Sequence, residues 1–262
     1  MSKVCFCFMS YSDIEQVPAW SAFFNQADPS QYSIVIHRVD GKESSFLPNS
    51  VIIPTIPSKW GDYSLAEIEL LLYAKGAEDT ANKIFVLLSG DSIPLCSFRQ
   101  AYDYLIKTCG ILELCGDNDR SMWRSTNVKH ALLPNPSAYK FNKAAIWKVL
   151  TISTVRHILE YRDCLKSVFG SVECPDEHGI PTLLHNLELL NTIDCNKTYM
   201  HVDWCSRSIR CRETHRPEPK TLHRHELTKE YLDAARNKGC IFLRKVCKTH
   251  IFEPHELYWN AA

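Results

Sequence analysis

The stretch Lys83-Ile84-Phe85-Val86-Leu87-Leu88-Ser89-Gly90-Asp91-Ser92-Ile93-Pro94-Leu95 decides the fold class. Residues 84–88 form an unbroken apolar run that ends abruptly in Ser89-Gly90-Asp91. A run apolar on both faces reads as a strand buried between layers. Working outward, similar short apolar runs recur at 4–9, 32–37 and 51–54. Stretches of helical spacing lie between and after them, and this alternation predicts an α/β fold. Ser64-Leu65-Ala66-Glu67 has the Ser-x-x-Glu form of a capping box, and Ile68, Leu71, Leu72 and Lys75 continue it at helical spacing. Further helices are expected over 98–108, 144–161 and 228–237. The last is closed by Gly239 before a strand over 240–244. Residues 117–131 and 205–220 are polar and irregular, and read as loops over a site.

The composition bounds the function. With 262 residues, 45% hydrophobic and 23% charged, the chain fits one globular domain over 1–262 that needs no disulfide staples. Its 30 Lys and Arg balance 30 Asp and Glu, so no bulk charge draws it to nucleic acid or an anionic membrane. The 12 cysteines are scattered, without Cys-x-x-Cys pairs of a zinc site. Cys5 and Cys7 share one face of an expected strand with Cα atoms about 7 Å apart, poor geometry for a disulfide. The apolar opening over 3–9 is far shorter than the roughly 20 residues that span a bilayer. It reads as a first core strand, with no signal or anchor before it, which implies a soluble, cytoplasmic protein.

Three segments carry chemistry. In open α/β sheets ligands collect at the carboxyl ends of strands, where the turn Ser89-Gly90-Asp91 falls. Gly90 lets backbone approach a ligand, and Asp91 can accept from sugar hydroxyls or hold a metal. A simple turn with an Asp cap explains the same residues. In Pro175-Asp176-Glu177-His178-Gly179-Ile180-Pro181, two carboxylates precede an apolar helix whose first turn suits Pro181. Carboxylates there are commonly caps stabilised by the helix dipole, and a general base held toward a pocket is the alternative. Arg244-Lys245 ends the strand at 240–244, either as solvated surface or as a cationic pair able to neutralise a diphosphate leaving group.

Taken in order, these segments resemble the core-2/I-branching glycosyltransferase family (glycosyltransferase family 14), which includes the protein xylosyltransferases. Ala19-Trp20-Ser21-Ala22-Phe23-Phe24 and Tyr32-Ser33-Ile34-Val35-Ile36-His37 are similar to its Trp-x-x-Phe-Phe and "YSIYVH" pattern. Trp60-Gly61-Asp62-Tyr63-Ser64-Leu65 resembles "WG-x-x-SL", and Leu87–Leu95 resembles "LLSGQDFPL". Phe141-Asn142-Lys143-Ala144-Ala145-Ile146-Trp147 is similar to a degraded "KGSQW". Pro175–Leu184 differs from "PDEHYIPTLL" only at Gly179, and the stretch from His215-Arg216-Pro217 to Leu243-Arg244-Lys245 resembles "HP…LFARKF".

The resemblance implies a variant of the nucleotide-sugar-binding GT-A fold, a central mixed sheet flanked by helices. It implies an inverting transfer from a UDP-sugar to a carbohydrate or glycoprotein hydroxyl, with no cofactor and no required divalent metal. Glu177, beside Asp176, maps to the catalytic base. Arg244 or Lys245 maps to the cation that stabilises departing UDP, with a further basic position near His215 or Arg216. His37, Asp40, Trp60, Gly61, Ser89, Gly90 and Asp91 fall on the donor side, and Trp204 on the acceptor side. UDP-xylose is the first expected donor and UDP-GlcNAc the second. The family's animal Golgi members carry an anchor and stem, so the chain is expected to be of bacterial or virus-encoded type. A glycan-binding protein without turnover and a metal-dependent transferase built on Asp91 are the competing expectations.

Overall fold

The computed structural model describes residues 1–43, 45–47, 49–116, 119–204, 218–249 and 251–257. In chain order its elements begin β1 (Lys3–Ser10), α1 (Val17–Asn25), β2 (Tyr32–Arg38), β3 (Ser50–Ile52), α2 (Tyr63–Ala77) and β4 (Asn82–Ser89). They continue with β5 (Ile93–Pro94), α3 (Phe98–Leu105), β6 (Ile111–Cys115), α4 (Asp119–Ser125), β7 (Lys143–Thr151), α5 (Ile152–Glu160) and α6 (Arg162–Phe169). The last four are α7 (Pro175–Asn186), β8 (Met200–Val202), α8 (Lys229–Asn237) and β9 (Phe242–Arg244).

Six strands form a mixed sheet in the order β3-β2-β1-β4-β7-β6. The first four run parallel, and β7 is antiparallel to both β4 and β6. A second sheet, β5-β9-β8, packs beside it. The mixed α/β architecture is therefore as expected.

Strand β1 shows why the large sheet is covered on both faces. Successive side chains of a strand point to opposite sides. Phe6 meets Phe23 edge-on at 5.9 Å and Phe8 meets Trp20 at 5.0 Å, so α1 covers this side. Phe6 also meets Phe242, which ties the second sheet to the same face. Cys5 and Cys7 point the other way, toward α2. A Cβ on Gly76 would sit 2.6 Å from Cys5 Sγ, so only glycine lets α2 approach this closely. The two thiols stay free with sulfurs 3.7 Å apart, and burial pushes the Cys7 thiol well above its usual value.

Several local expectations are corrected. Residues 144–161 are not one helix. The first part is β7, hydrogen-bonded on both sides, and α5 begins only after Thr151 caps it by accepting from the Thr154 N–H. Residues 117–131 are not all loop, because α4 lies within them. The N-cap of α2 is Asp62, whose carboxylate accepts from the Ser64 N–H at 2.9 Å. Glu67 instead pairs with Arg162 and Lys166, so the Ser64–Glu67 box does not form. Helix α7 starts at Pro175, which needs no N–H there, and Pro181 lies inside the helix rather than at its start. Among the described residues no helix is long and apolar enough to cross a membrane.

Candidate functional site

Glu177 lies in the first turn of α7, 31% exposed, between two cations. Its Oε2 accepts from Arg124 Nη1 at 3.2 Å and lies 3.6 Å from Lys143 Nζ. Arg124, from α4, is 5% exposed and holds four groups at once. Nε donates to Glu173 at 3.1 Å, Nη2 to Cys174 Sγ at 3.1 Å, and Nη1 also reaches His178 Nε2 at 3.2 Å. Arginine only donates, so His178 Nε2 accepts and Nδ1 carries the proton that Asn142 O receives at 3.1 Å. Burial lowers the His178 pKa to about 4, which keeps the ring neutral in this role. Phe141 stacks on the ring at 4.4 Å.

Asp176 faces away from Glu177, into the protein. Its carboxyl lines a small cavity with Tyr63, Glu69, Leu165, Gly179 and Ile180, and its Oδ1 is buried without a hydrogen-bond partner. Burial first, then the charge of Glu177, raises its pKa to about 7. The two adjacent carboxylates thus occupy opposite environments, one wet and paired, the other dry. Beneath them Lys148 Nζ donates to Glu69, to Ile146 O and to Asp176 O, joining β7 to the start of α7.

Strand β7 links this region to the second cationic element. Its residue Trp147 lies under the Arg244 guanidinium, 4.7 Å from the ring centroid. Arg244 Nε donates to Ser89 Oγ and to Asp91 Oδ1, and Nη2 to Asp91 Oδ2 at 3.3 Å. Asp91 is thereby occupied by Arg244 and by the Ser89 hydroxyl at 2.5 Å. Gly90 is explained by packing: a Cβ there would lie 2.0 Å from Ser10 Oγ, where the ends of β1 and β4 meet. The segment 141–147, similar to a degraded "KGSQW", supplies Lys143 to Glu177 and Trp147 to Arg244.

At the carboxyl ends of β1 and β2 an open cleft is lined by Asp13, Glu15, Arg38, Asp40, Lys42 and Lys248. Arg38 grips Asp40 through Nε and Nη2 at 3.0 and 2.8 Å, and pairs with Asp13 at 3.1 Å. The hydrogen bond from Arg38 holds the Asp40 carboxyl below its usual pKa. Glu15 is pushed up by burial and then by Asp91, while Lys248 and Lys245 oppose the shift. Glu15, on the cleft lining, donates its N–H to Gly90 O at 2.9 Å, next to Asp91.

The remaining expected residues fall as follows. His37 is buried, its Nε2 accepting the Ile56 N–H, and burial lowers its pKa, so it braces the segment after β3. Trp60 is 52% exposed; Gly61, at φ 75°, puts its carbonyl on the Cys174 N–H, beside the start of α7. Trp204 is 55% exposed, beyond the end of β8, whose Val202 pairs with Arg244. His215 and Arg216 lie outside the described residues. The sequence reading missed Arg124, Asp13 and Arg38. Arg38 had a signal, since it directly follows the apolar run 32–37, while Asp13 lies in the turn after the run 4–9. Arg124 had only its place in the stretch 117–131, read as a loop over a site, and its partners lie 49 to 54 residues away. Among the described residues, no group of three or more His, Cys, Asp or Glu is placed to hold a metal ion.

The family described as "Core-2/I-Branching enzyme" matches residues 4–236, from β1 through α8. "Glycosyltransferase BC10" of Oryza sativa subsp. japonica is 23% identical over 255 residues, covering 84% of this chain and 62% of the rice protein. The chain thus spans less than two thirds of that relative's length. Among solved structures, the apo form of the WbbM bifunctional glycosyltransferase aligns with a TM-score of 0.40 and 13% identity, covering 93% of this chain and 45% of that one. A cytidylyltransferase from Leptospira borgpetersenii aligns with a TM-score of 0.33 and 10% identity, covering 72% and 73%. Neither structural likeness is close enough to argue from. With the family match running through nearly every element that builds the site, the chain belongs to the core-2/I-branching enzyme family.

Proposed function

We propose that this chain is an inverting glycosyltransferase that moves a sugar from a UDP-sugar to a carbohydrate hydroxyl, with Glu177 as general base. The observation that carries this reading is the placement of Glu177: an accessible carboxylate between Arg124 and Lys143, on the same strand-and-helix unit that carries Trp147 under Arg244. In the proposed reaction Glu177 takes the acceptor's hydroxyl proton while the oxygen's electron pair forms a bond to the anomeric carbon. The bond from that carbon to the diphosphate oxygen breaks on the opposite face, and its electron pair leaves with UDP. Arg244 and Lys245 oppose the charge that develops on the diphosphate. The Asp13–Arg38–Asp40 cleft holds the nucleotide, and Trp204 stands on the acceptor side. The reaction uses no divalent metal. Xylose is the first donor sugar of this proposal and GlcNAc the second.

The test is UDP release across a donor panel, with and without EDTA. Glu177→Gln should lower kcat by about 100-fold or more while UDP still binds. Wild-type turnover in that variant would end the assignment.

A further inference from the structure

Resting on the reading of Glu177 as base, the geometry points to Arg124 as the residue that aims it: a positioning residue, buried behind the carboxylate, that no substrate needs to touch. The argument is one of charge and hydrogen-bond supply. A guanidinium taken out of water needs counter-charge and acceptors on every side. Arg124 finds them in Glu173, Glu177, Cys174 Sγ and His178 Nε2, all within 3.1 to 3.2 Å. Three of the four come from the first turn of α7 or the residue before it. The fourth, Glu173, lies just upstream.

The arrangement fixes direction as well as charge. Nε is committed to Glu173 and Nη2 to Cys174, so the plane of the guanidinium cannot rotate without losing both. Nη1 then presents its protons to Glu177 and to the neutral His178, whose tautomer is set by Asn142 O. Glu177 is held by one oxygen, Oε2, and no bond to Oε1 is found among the described residues. One oxygen is anchored and the other is left for the proton it must collect.

Glu173 has a distinct part. When Glu177 takes a proton it loses its charge, and a buried guanidinium with no other counter-ion would oppose that step. Glu173, 3.1 Å from Arg124 Nε, is a second carboxylate on the guanidinium that the proton transfer does not involve. Arg124 therefore steadies the base without depending on its charge.

Arg124→Lys, Arg124→Gln and Arg124→Ala should be compared for kcat and KM, with thermal stability as a control for folding. Misplacement of a reacting group by about 1 Å is enough for a loss of order 100-fold. We expect kcat to fall by about that factor in Arg124→Ala, with both KM values within about threefold of wild type. Ethylguanidinium added below denaturing concentration should restore at least about tenfold of the loss in Arg124→Ala and none in Arg124→Lys. In a Glu177→Gln background the same substitution should cost little, because the residue acts through Glu177. A wild-type kcat in Arg124→Gln, a loss confined to KM, or a full additional loss in the Glu177→Gln background overturns the inference. The two readings separate cleanly. A fully active Glu177→Gln overturns the base and Arg124's role together, while an inactive Glu177→Gln beside an active Arg124→Ala overturns only the latter.

Discussion

Asp176 and His178 flank Glu177 in the sequence, and their titrations oppose each other. Burial raises Asp176 to about 7 from an ordinary 3.8, so the folded chain keeps a proton that the unfolded chain has released. Its contribution to stability is complete below about pH 4 and drains away as pH rises toward 7. His178 behaves in reverse. Its pKa falls to about 4 from 6.5, so between those values the unfolded chain binds the extra proton and stability drops as the solution is acidified. From about pH 4 to 6.5 the two slopes offset one another. Asp176→Asn should leave His178 unopposed and make the protein lose stability steadily on acidification, by up to about 1.4 kcal/mol per pH unit. Melting temperatures of wild type and variant across pH 4.5 to 8 measure this, and parallel curves would dismiss it. Sequence alone paired Asp176 with Glu177 as neighbours in one site. It could not show that a single step along the helix sends them into opposite media.

At the scale of elements, legibility followed how local the determining forces are. The 84–88 strand was readable because it is apolar on both faces, and β4 is indeed buried by layers on each side. The strand β7 was read, by its spacing, as part of a helix over 144–161, in which nothing marks Lys148 as a buried charge. In the fold it is wholly buried, and its partner Glu69 lies 79 residues earlier. No local pattern announces such a pairing. The family's segment order made Glu177 stand out, but Arg124 sits in a stretch that read as loop. Gly90 is a third case: its turn was legible, while the reason for glycine, the Ser10 side chain pressed against it, was not. Gly90→Ala should destabilise the fold by about 1–3 kcal/mol through overpacking at the β1–β4 junction. Urea denaturation measures it. Ser10→Gly in the same chain should recover much of the loss, since Ser10 supplies the two nearest atoms.

For the whole molecule, the buried Glu69–Lys148 pair is the point where sheet, α2 and α7 are tied together. Replacing one member leaves the other as an uncompensated charge in the core. Lys148→Met should therefore cost about 3–5 kcal/mol in denaturant unfolding, while joint replacement of both residues by apolar ones of matched volume should restore much of it. Activity need not return with stability, because Lys148 also holds the Asp176 carbonyl and so the first turn of α7. A stable, inactive double variant is the expected result.

The strand β7 has one more consequence. Between its pairings Leu112–Lys148 and Leu114–Ala144, β6 advances two residues while β7 advances four. The extra length is taken up between Lys143, at Glu177, and Trp147, under Arg244, so the strand works as a pair of calipers whose jaws are the carboxylate and the guanidinium. Four residues of strand reach at most about 13 Å, and a bulge shortens the span. To that opening the Lys143–Glu177 and Trp147–Arg244 contacts add 3.6 and 4.7 Å. On the proposed function, a compound joining an acceptor-like hydroxyl to a diphosphate mimic should show an optimum spacer length, and removing two residues from the bulge should shift the preference toward shorter spacers.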